Sequence, residues 1–292
     1  MHRALCIEKK LMPNKLYNNI LDHVGNTPII TLPTEAKGTS IFIKIETFNP
    51  TGTVYDRIAL GIIENAFENS LLSHGGTVLD AVNDTSMAVS LSMVCAAEGL
   101  QCVLVASSSI DDSVKAKLTL YGANVTYVDG DLSFVLRKLQ TLSRTMYRGA
   151  FVPSMMDVET ISLCCMSLAQ EIWRNIGRQL GNMIKTIVLP QKAPLVTSII
   201  TNFFKTKNTK INFILADLYD PNNPTLDINS IIETNPTMDI NYISADHHQE
   251  ALTELGKQGI AVGNLSATVY ASAKQNIYNV NMGENILALL VD

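Results

Sequence analysis

Short runs of apolar or alternating residues recur along the chain, separated by longer stretches in which apolar residues repeat every three or four positions. The short runs predict strands and the longer stretches predict amphipathic helices. The predicted strands are residues 40–45, 77–81, 102–106, 124–128, 186–189, 212–216 and 286–291. The predicted helices are residues 56–69, 85–98, 111–121, 158–180, 195–204, 247–257 and 266–275. This alternation with short connections predicts an α/β fold with parallel, doubly wound sheets.

One stretch departs from this regular alternation. Residues 219–240 are rich in Asn, Pro and Asp and show neither helical nor strand periodicity. Such residues favour turns and exposed backbone. We therefore expect this stretch to form an excursion on the surface of the protein.

Composition and charge exclude several classes of protein. The chain has 292 residues, 47% of them hydrophobic, which suffices for one large domain or two modest ones. Its net charge of −5 is spread without a long run of one sign, so we expect no nucleic-acid partner and no anionic membrane surface. No apolar stretch approaches the roughly 18 residues of a spanning helix, so a soluble protein is expected.

The cysteines and histidines predict neither a disulfide framework nor a metal site. Five cysteines, an odd number, occur without any Cys-x-x-Cys pair. This favours reduced thiols and a cytoplasmic location. His247 and Glu250 share one face of a predicted helix, but no third or fourth ligand is evident beside them. We therefore expect no bound metal.

Five short segments, in this order and spacing, are similar to motifs of the cysteine synthase and cystathionine β-synthase family. They are Gly-Asn-Thr-Pro at 25–28, Asn-Pro-Thr-Gly-Thr-Val-Tyr-Asp-Arg at 49–57, Leu-Tyr-Gly-Ala at 120–123, Glu-Ile-Trp at 171–173 and Gly-Ile-Ala-Val-Gly at 259–263. The resemblance implies the fold type II architecture of pyridoxal-phosphate (PLP) enzymes, also called tryptophan synthase β-like. It implies a small domain of residues 42–148 and a large domain of residues 14–41 plus 149–292. It also implies a homodimer with a cofactor cleft between the domains.

The position of the family's Schiff-base lysine is occupied by Tyr55. Condensation with the cofactor aldehyde needs a primary amine on a flexible stem, which a phenol does not provide. Lys44 lies in the preceding strand, where the family also has a lysine, and nothing in the sequence places it at the cofactor. We therefore expect no covalent cofactor link, loss of PLP binding, and a Tyr55 ring lying in the old cofactor space.

Two loops that hold the cofactor and substrate in the family also differ here. The family's glycine-rich phosphate loop corresponds to residues 190–195, which contain no glycine but include Gln191 and Lys192. Its substrate-carboxylate loop corresponds to residues 82–87, where Asp84 would repel a carboxylate. An N-cap role for Asp84 also explains this segment. The residues expected at the cleft are Tyr55, Asn83, Asp84, Thr85, Ser86, Gln191 and Lys192. Structural roles are expected for Asn49, Gly52, Asp56 and Arg57.

These differences favour a pseudoenzyme over an active member of the family. Our first hypothesis is a cysteine synthase-like pseudoenzyme that binds a peptide, a protein partner such as an active paralogue, or a small ligand in a remodelled cleft. The alternative is an enzyme with altered activity. That enzyme would retain some PLP-dependent lyase or β-replacement activity, or would use Tyr55 as a proton donor without a cofactor.

Overall fold

The computed structural model of the protein describes residues 17–32, 34–36, 38–153, 166–178, 183–207, 210–219 and 238–292. The strands are β1 (Ile29–Leu32), β2 (Ile41–Ile45), β3 (Thr77–Ala81), β4 (Gln101–Ser107), β5 (Asn124–Val128), β6 (Ile184–Pro190), β7 (Asn212–Leu218), β8 (Met238–Ile243) and β9 (Asn285–Leu290). The helices are α1 (Tyr55–Glu68), α2 (Thr85–Glu98), α3 (Asp112–Leu120), α4 (Leu132–Thr145), α5 (Met166–Arg178), α6 (Pro194–Thr206), α7 (Ala245–Lys257) and α8 (Asn264–Asn276).

The strands form two sheets, and the predicted α/β fold with parallel sheets is confirmed. The larger sheet has the order β1-β2-β9-β6-β7-β8, and only the edge strand β1 runs antiparallel to its neighbour. The smaller sheet, β3-β4-β5, is entirely parallel. Because β2 pairs with β9, residues 42–45 of the range assigned from sequence to the small domain belong to the larger sheet.

Both faces of each sheet are covered, as the apolar strand sequences require. All six residues of β9 are buried, which fits its nearly continuous apolar sequence and central position. One buried cluster joins α1, α2, α5 and α6 to the facing sides of both sheets. A second packs α7 and α8 on the other face of the larger sheet, and a third packs α4 on the smaller one.

Among the strands and α-helices given above, three were not predicted from the sequence. The edge strand β1 is only four residues long, and α4 is mainly exposed, burying Val135, Leu139 and Leu142 at spacings of four and three. The third is β8, of which residues 238–240 lie at the end of the stretch predicted to be a surface excursion. Residues 220–237 of that stretch and residues 158–165 and 179–180 of the long predicted helix lie outside the described residues.

The described residues also bear on the predictions about cysteines, metals and membranes. Cys95 and Cys102 are buried free thiols, whereas Cys6, Cys164 and Cys165 lie outside the described part of the chain. Within the described residues, no group of three potential ligands could hold a metal ion. Among the same residues, every helix is too short or too polar to cross a membrane.

The central strand β9 should dominate the stability of the larger sheet. We predict that Leu287→Ala, at a fully buried position, lowers the free energy of unfolding by about 2–5 kcal/mol. Leu120→Ala is the matched control, because Leu120 is 77% exposed, and we expect a change within about 0.5 kcal/mol. Urea denaturation of the two variants measures both values, and equal effects would contradict this account of the core.

Candidate active site

The loop between β2 and α1 is fixed by side chains of its own sequence motif. Asn49 accepts a 2.8 Å hydrogen bond from the Gly25 amide and donates to Glu46. Asp56, the second residue of α1, accepts a 2.7 Å bond from the Thr51 amide. Gly52 has a φ of +87°, which residues with a side chain rarely adopt. The loop therefore delivers the first turn of α1 in one orientation.

Below this loop lies a buried network of two cations and two carboxylates. Arg57 donates to Glu46 from Nε at 2.6 Å and from Nη2 at 3.0 Å, and to Glu171 from Nη1 at 2.8 Å. Lys44 donates to the other oxygen of Glu171 and, at 2.6 Å, to the Thr27 carbonyl. The four charged groups balance one another, so their burial leaves no net charge in the interior.

The network also sets the ionisation of its members. Burial lowers the pKa of Lys44. The Glu171 carboxylate acts in the opposite direction and would raise that pKa, but burial outweighs it. For Glu171, burial opposes the charged form, but Arg57 and Lys44 outweigh it and hold its pKa below the ordinary value. The Thr27 hydroxyl and the Asn26 amide add hydrogen bonds to Glu46 and Glu171. The network thus ties residues 25–28 to β2, α1 and α5.

Tyr55, the first residue of α1, stands on the pocket side of this assembly. Its ring is partly buried and lies in the wall of an open pocket with an interior volume of about 180 Å³. Met87 and Leu195 line the same pocket as Tyr55, and the position of the ring in the old cofactor space stays a prediction. The residues that line the pocket are Tyr55, Ile58, Ile62, Asp80, Ala81, Asn83, Asp84, Met87, Ala88, Leu91, Leu104, Pro153 and Leu195.

Three helices begin at this pocket: α1 at Tyr55, α2 next to Asp84, and α6 next to Leu195. Asp84 is the N-cap of α2, and its Oδ1 accepts a 2.9 Å hydrogen bond from the Met87 amide. Burial, together with the adjacent Asp84 carboxylate, raises the pKa of Tyr55 above its ordinary value. The Tyr55 phenol therefore stays protonated at neutral pH.

The start of α6 offers hydrogen-bonding groups next to the pocket. No side chain caps this helix, and Pro194 at its first position has no N–H. The first-turn amides of Leu195 and Val196 have no partner within the helix. Gln191 is 5% exposed, and its buried Oε1 has no hydrogen-bond partner among the described residues. Lys192 instead pairs with Asp217 at 3.2 Å and is 47% exposed.

The structure brings only part of the predicted site together. Tyr55, Asn83 and Asp84 line the pocket, whereas Thr85, Ser86, Gln191 and Lys192 lie near it in sequence without lining it. Sequence reasoning missed Asp80 and the apolar wall formed by Ile58, Ile62, Leu91 and Leu104. The signal for Asp80 was available, because it lies near the carboxyl end of a predicted parallel strand, where α/β proteins bind ligands.

A family model described as pyridoxal-phosphate dependent enzyme matches residues 20–292. O-ureido-L-serine synthase of Streptomyces lavendulae is 35% identical over 118 residues, which are 40% of this chain and 36% of that enzyme. Cysteine synthase B of Pseudomonas syringae pv. syringae is 30% identical over 164 residues, which are 55% of this chain and 96% of that protein. The alignment thus spans little more than a third of the first relative.

Solved structures show the same fold at lower identity. O-ureido-L-serine synthase superposes with a TM-score of 0.80 at 21% identity, covering 95% of this chain and 92% of that one. A mutant of that enzyme with a lysine changed to alanine, bound to O-ureido-L-serine, gives 0.79 at 21% identity, with coverages of 95% and 90%. A hydrogen sulfide-producing enzyme from Fusobacterium nucleatum gives 0.79 at 22% identity, with coverages of 96% and 97%.

These matches contradict two expectations from the sequence, namely that the protein is not an enzyme and that PLP binding is lost. The matching family model describes cofactor-dependent enzymes, and the matched relatives are enzymes themselves. The structure also buries a lysine in this region, Lys44, although its ammonium group is held by Glu171 and does not line the pocket. Tyr55 alone was too narrow a basis for either expectation.

The buried network should be costly to break and sensitive to acid. We predict that Glu171→Gln lowers the free energy of unfolding by about 3–5 kcal/mol, because it leaves Lys44 and Arg57 undercompensated. The pKa of Glu171 lies below its ordinary value of 4.5, so its charge stabilises the fold above that value. This stability is lost as the pH falls through the lowered pKa. The free energy of unfolding of Glu171→Gln should therefore decrease less steeply with falling pH than that of the unmodified protein.

Glu254→Gln provides the control for this prediction. Glu254 pairs with Lys274 at the surface, where both side chains are more than a third exposed. Removing an exposed pair costs only about 0–1 kcal/mol. Chemical denaturation over a series of acidic pH values compares the two variants, and an unchanged acid profile for Glu171→Gln would refute the role assigned to the network.

Proposed function

We propose that this chain, which belongs to the family of pyridoxal-phosphate dependent enzymes, is a cysteine synthase-like enzyme with altered lyase or β-replacement activity. The observation that carries the proposal is the pocket at the starts of α1, α2 and α6, within a fold shared with enzymes of this family. The pocket is concave and mainly apolar, with a few polar groups, as small-molecule sites are.

The residues around the pocket fit a cofactor that is held without a covalent bond. An aromatic ring suits the apolar wall that includes Met87 and Leu195. A phosphate suits the start of α6, where no side chain caps the helix and the helix dipole favours an anion. No lysine is among the lining residues, so covalent attachment does not fit the described pocket.

One structural neighbour binds a ligand with one of its lysines replaced. The mutant of O-ureido-L-serine synthase, in which a lysine is changed to alanine, holds O-ureido-L-serine. When bound, PLP supplies an electron sink for cleavage of bonds next to the substrate amine. The chain contributes a hydrogen-bonding phenol at Tyr55, a negative charge at Asp84 and an apolar wall that limits water.

The second form of altered activity, chemistry by Tyr55 without a cofactor, is less well supported. A general acid or base works best when its pKa lies near the operating pH. Burial and the Asp84 carboxylate raise the pKa of Tyr55 further above neutral pH, so the phenol does not readily give up its proton there. We therefore assign Tyr55 an orienting role in ligand binding.

Homodimerisation, and the binding of a peptide or an active paralogue, remain predictions from the family resemblance. Size-exclusion chromatography with light scattering tests the first directly. A monomer at micromolar concentration would contradict it without affecting the proposal for the pocket.

We predict that the purified protein retains PLP in equilibrium dialysis and, with PLP present, releases sulfide from L-cysteine faster than PLP alone does. Leu195→Trp should lower retention at least about tenfold, because an indole there would enter the pocket at the start of α6. Leu120→Trp, at an exposed position outside the pocket lining, should retain PLP as the unmodified protein does.

Borohydride reduction of the complex, followed by peptide mapping, checks how the cofactor is held. We expect no pyridoxyl adduct at one specific lysine, because the ammonium group of Lys44 is engaged by Glu171 and Thr27. An adduct at Lys44 would show that the cofactor is held covalently at this residue, contrary to the proposed non-covalent binding. Failure to retain PLP, or equal retention by both tryptophan variants, would refute the proposed function.

A further inference from the structure

A second cavity lies between the loop of residues 24–26, α1 and α5, and its interior volume is about 230 Å³. Arg57, Gly61 and Glu64 line it and recur every three or four residues, so they share one face of α1. Tyr55 lines the first pocket from another face of the same helix. Among the described residues, none lines both spaces. The second cavity is therefore built from its own set of side chains.

One buried charged group lines the second cavity and keeps an unused hydrogen-bond donor. Arg57 is only 5% exposed, and its Nε and Nη2 atoms donate to Glu46 and Thr27. Nη1 carries two N–H groups, of which one donates to Glu171 and the other has no partner among the described residues. Gly25, which also lines the cavity, has a φ of +85°, and a Cβ placed on it would lie 2.8 Å from Nη1. The absence of a side chain at Gly25 therefore leaves Nη1 beside the cavity.

Two opposite charges at the second cavity are also left without a partner. Glu64 is half-buried and Arg174 is exposed, and both line the cavity. Within the described part of the chain, neither side chain forms a salt bridge or a hydrogen bond, with the other or with a third residue. Burial, together with the neighbouring Glu68 and Glu98 carboxylates, raises the pKa of Glu64, so a positive group beside it is favourable. The cavity thus offers one negative and one positive charge to a ligand.

We infer that the second cavity binds the zwitterion of a small free amino acid. The ammonium group pairs with Glu64, and the carboxylate pairs with Arg174 and accepts a hydrogen bond from Nη1 of Arg57. A ligand with only one of these charges leaves the opposite group at the cavity unpaired. Leu60 supplies apolar contact for a short side chain. The inference does not rest on the proposed function, because it uses different residues.

Isothermal titration with L-alanine tests the site, and ethylamine and propionate are the matched ligands that lack only the carboxylate or only the ammonium group. L-Alanine should bind at least about fivefold more tightly than either, because a pair of unit charges about 4 Å apart is worth a factor of about five even in water. Glu64→Gln should bring L-alanine and propionate close to equal affinity. Arg174→Gln should reduce the difference between L-alanine and ethylamine.

Glu250→Gln and Arg144→Gln are the matched control variants. Both residues are exposed on helices and lie outside the lining of the second cavity. They should therefore bind L-alanine as the unmodified protein does. Urea denaturation of Glu64→Gln checks that the fold is intact, which we expect because the substitution removes a charge from beside Glu68 and Glu98.

Leu195→Trp separates the second cavity from the pocket that Tyr55 lines. L-Alanine binding should be unchanged in this variant, because Leu195 lines only the first pocket. Binding that is lost in Leu195→Trp but kept in Glu64→Gln would assign the amino acid to the first pocket and overturn the second site. Equal affinities for the three ligands, or no binding of L-alanine up to millimolar concentration, would overturn it too. Loss of PLP retention beside the expected L-alanine results would refute the proposed function alone.

Discussion

The site depends on the buried pairing of Lys44 and Arg57 with Glu46 and Glu171. Lys44, Glu46 and Arg57 come from β2, the turn after it and α1, whereas Glu171 comes from α5, 114 residues after Arg57. Charges taken out of water are tolerated only when they are paired and hydrogen-bonded, so each member requires the others in place. The pairing of these charges therefore helps to hold the loop of residues 49–54 in one geometry.

The geometry of the pocket follows from that fixed loop. Arg57 and Asp56 are anchored on the inner side of α1, and Tyr55, one position earlier, is directed to the pocket. The start of α2 is set separately, by the capping of its own backbone through Asp84. The pocket wall therefore depends on a buried ion-pair network that includes the distant Glu171, and on a helix cap within the sequence of α2 itself.

Much of the fold could be predicted, because parallel strands such as β9 and helices such as α2 have distinct apolar patterns. The weaker elements escaped for physical reasons: β1 is a short edge strand, and α4 buries only three residues. At the site, Tyr55 and Asp84 were identified by comparing motifs. The expectations that PLP binding and enzyme activity are lost were wrong, because the replacement of one lysine by Tyr55 does not reveal which other contacts remain. The unpaired oxygen of Gln191 and the apolar wall depend on packing between distant segments, which local patterns do not reveal.

The pairing of β2 with β9 also bears on the order in which the protein folds during synthesis. Residues 41–45 emerge early, yet their partner in the larger sheet is residues 285–290. The smaller sheet, by contrast, uses strands between residues 77 and 128 and can form while the chain is still being made. Until β9 is made, the apolar edges of β2 and β6 stay exposed, and unpaired edges of this kind invite aggregation. Translation speed and chaperone access over the last third of the chain should therefore govern how much protein reaches the native state.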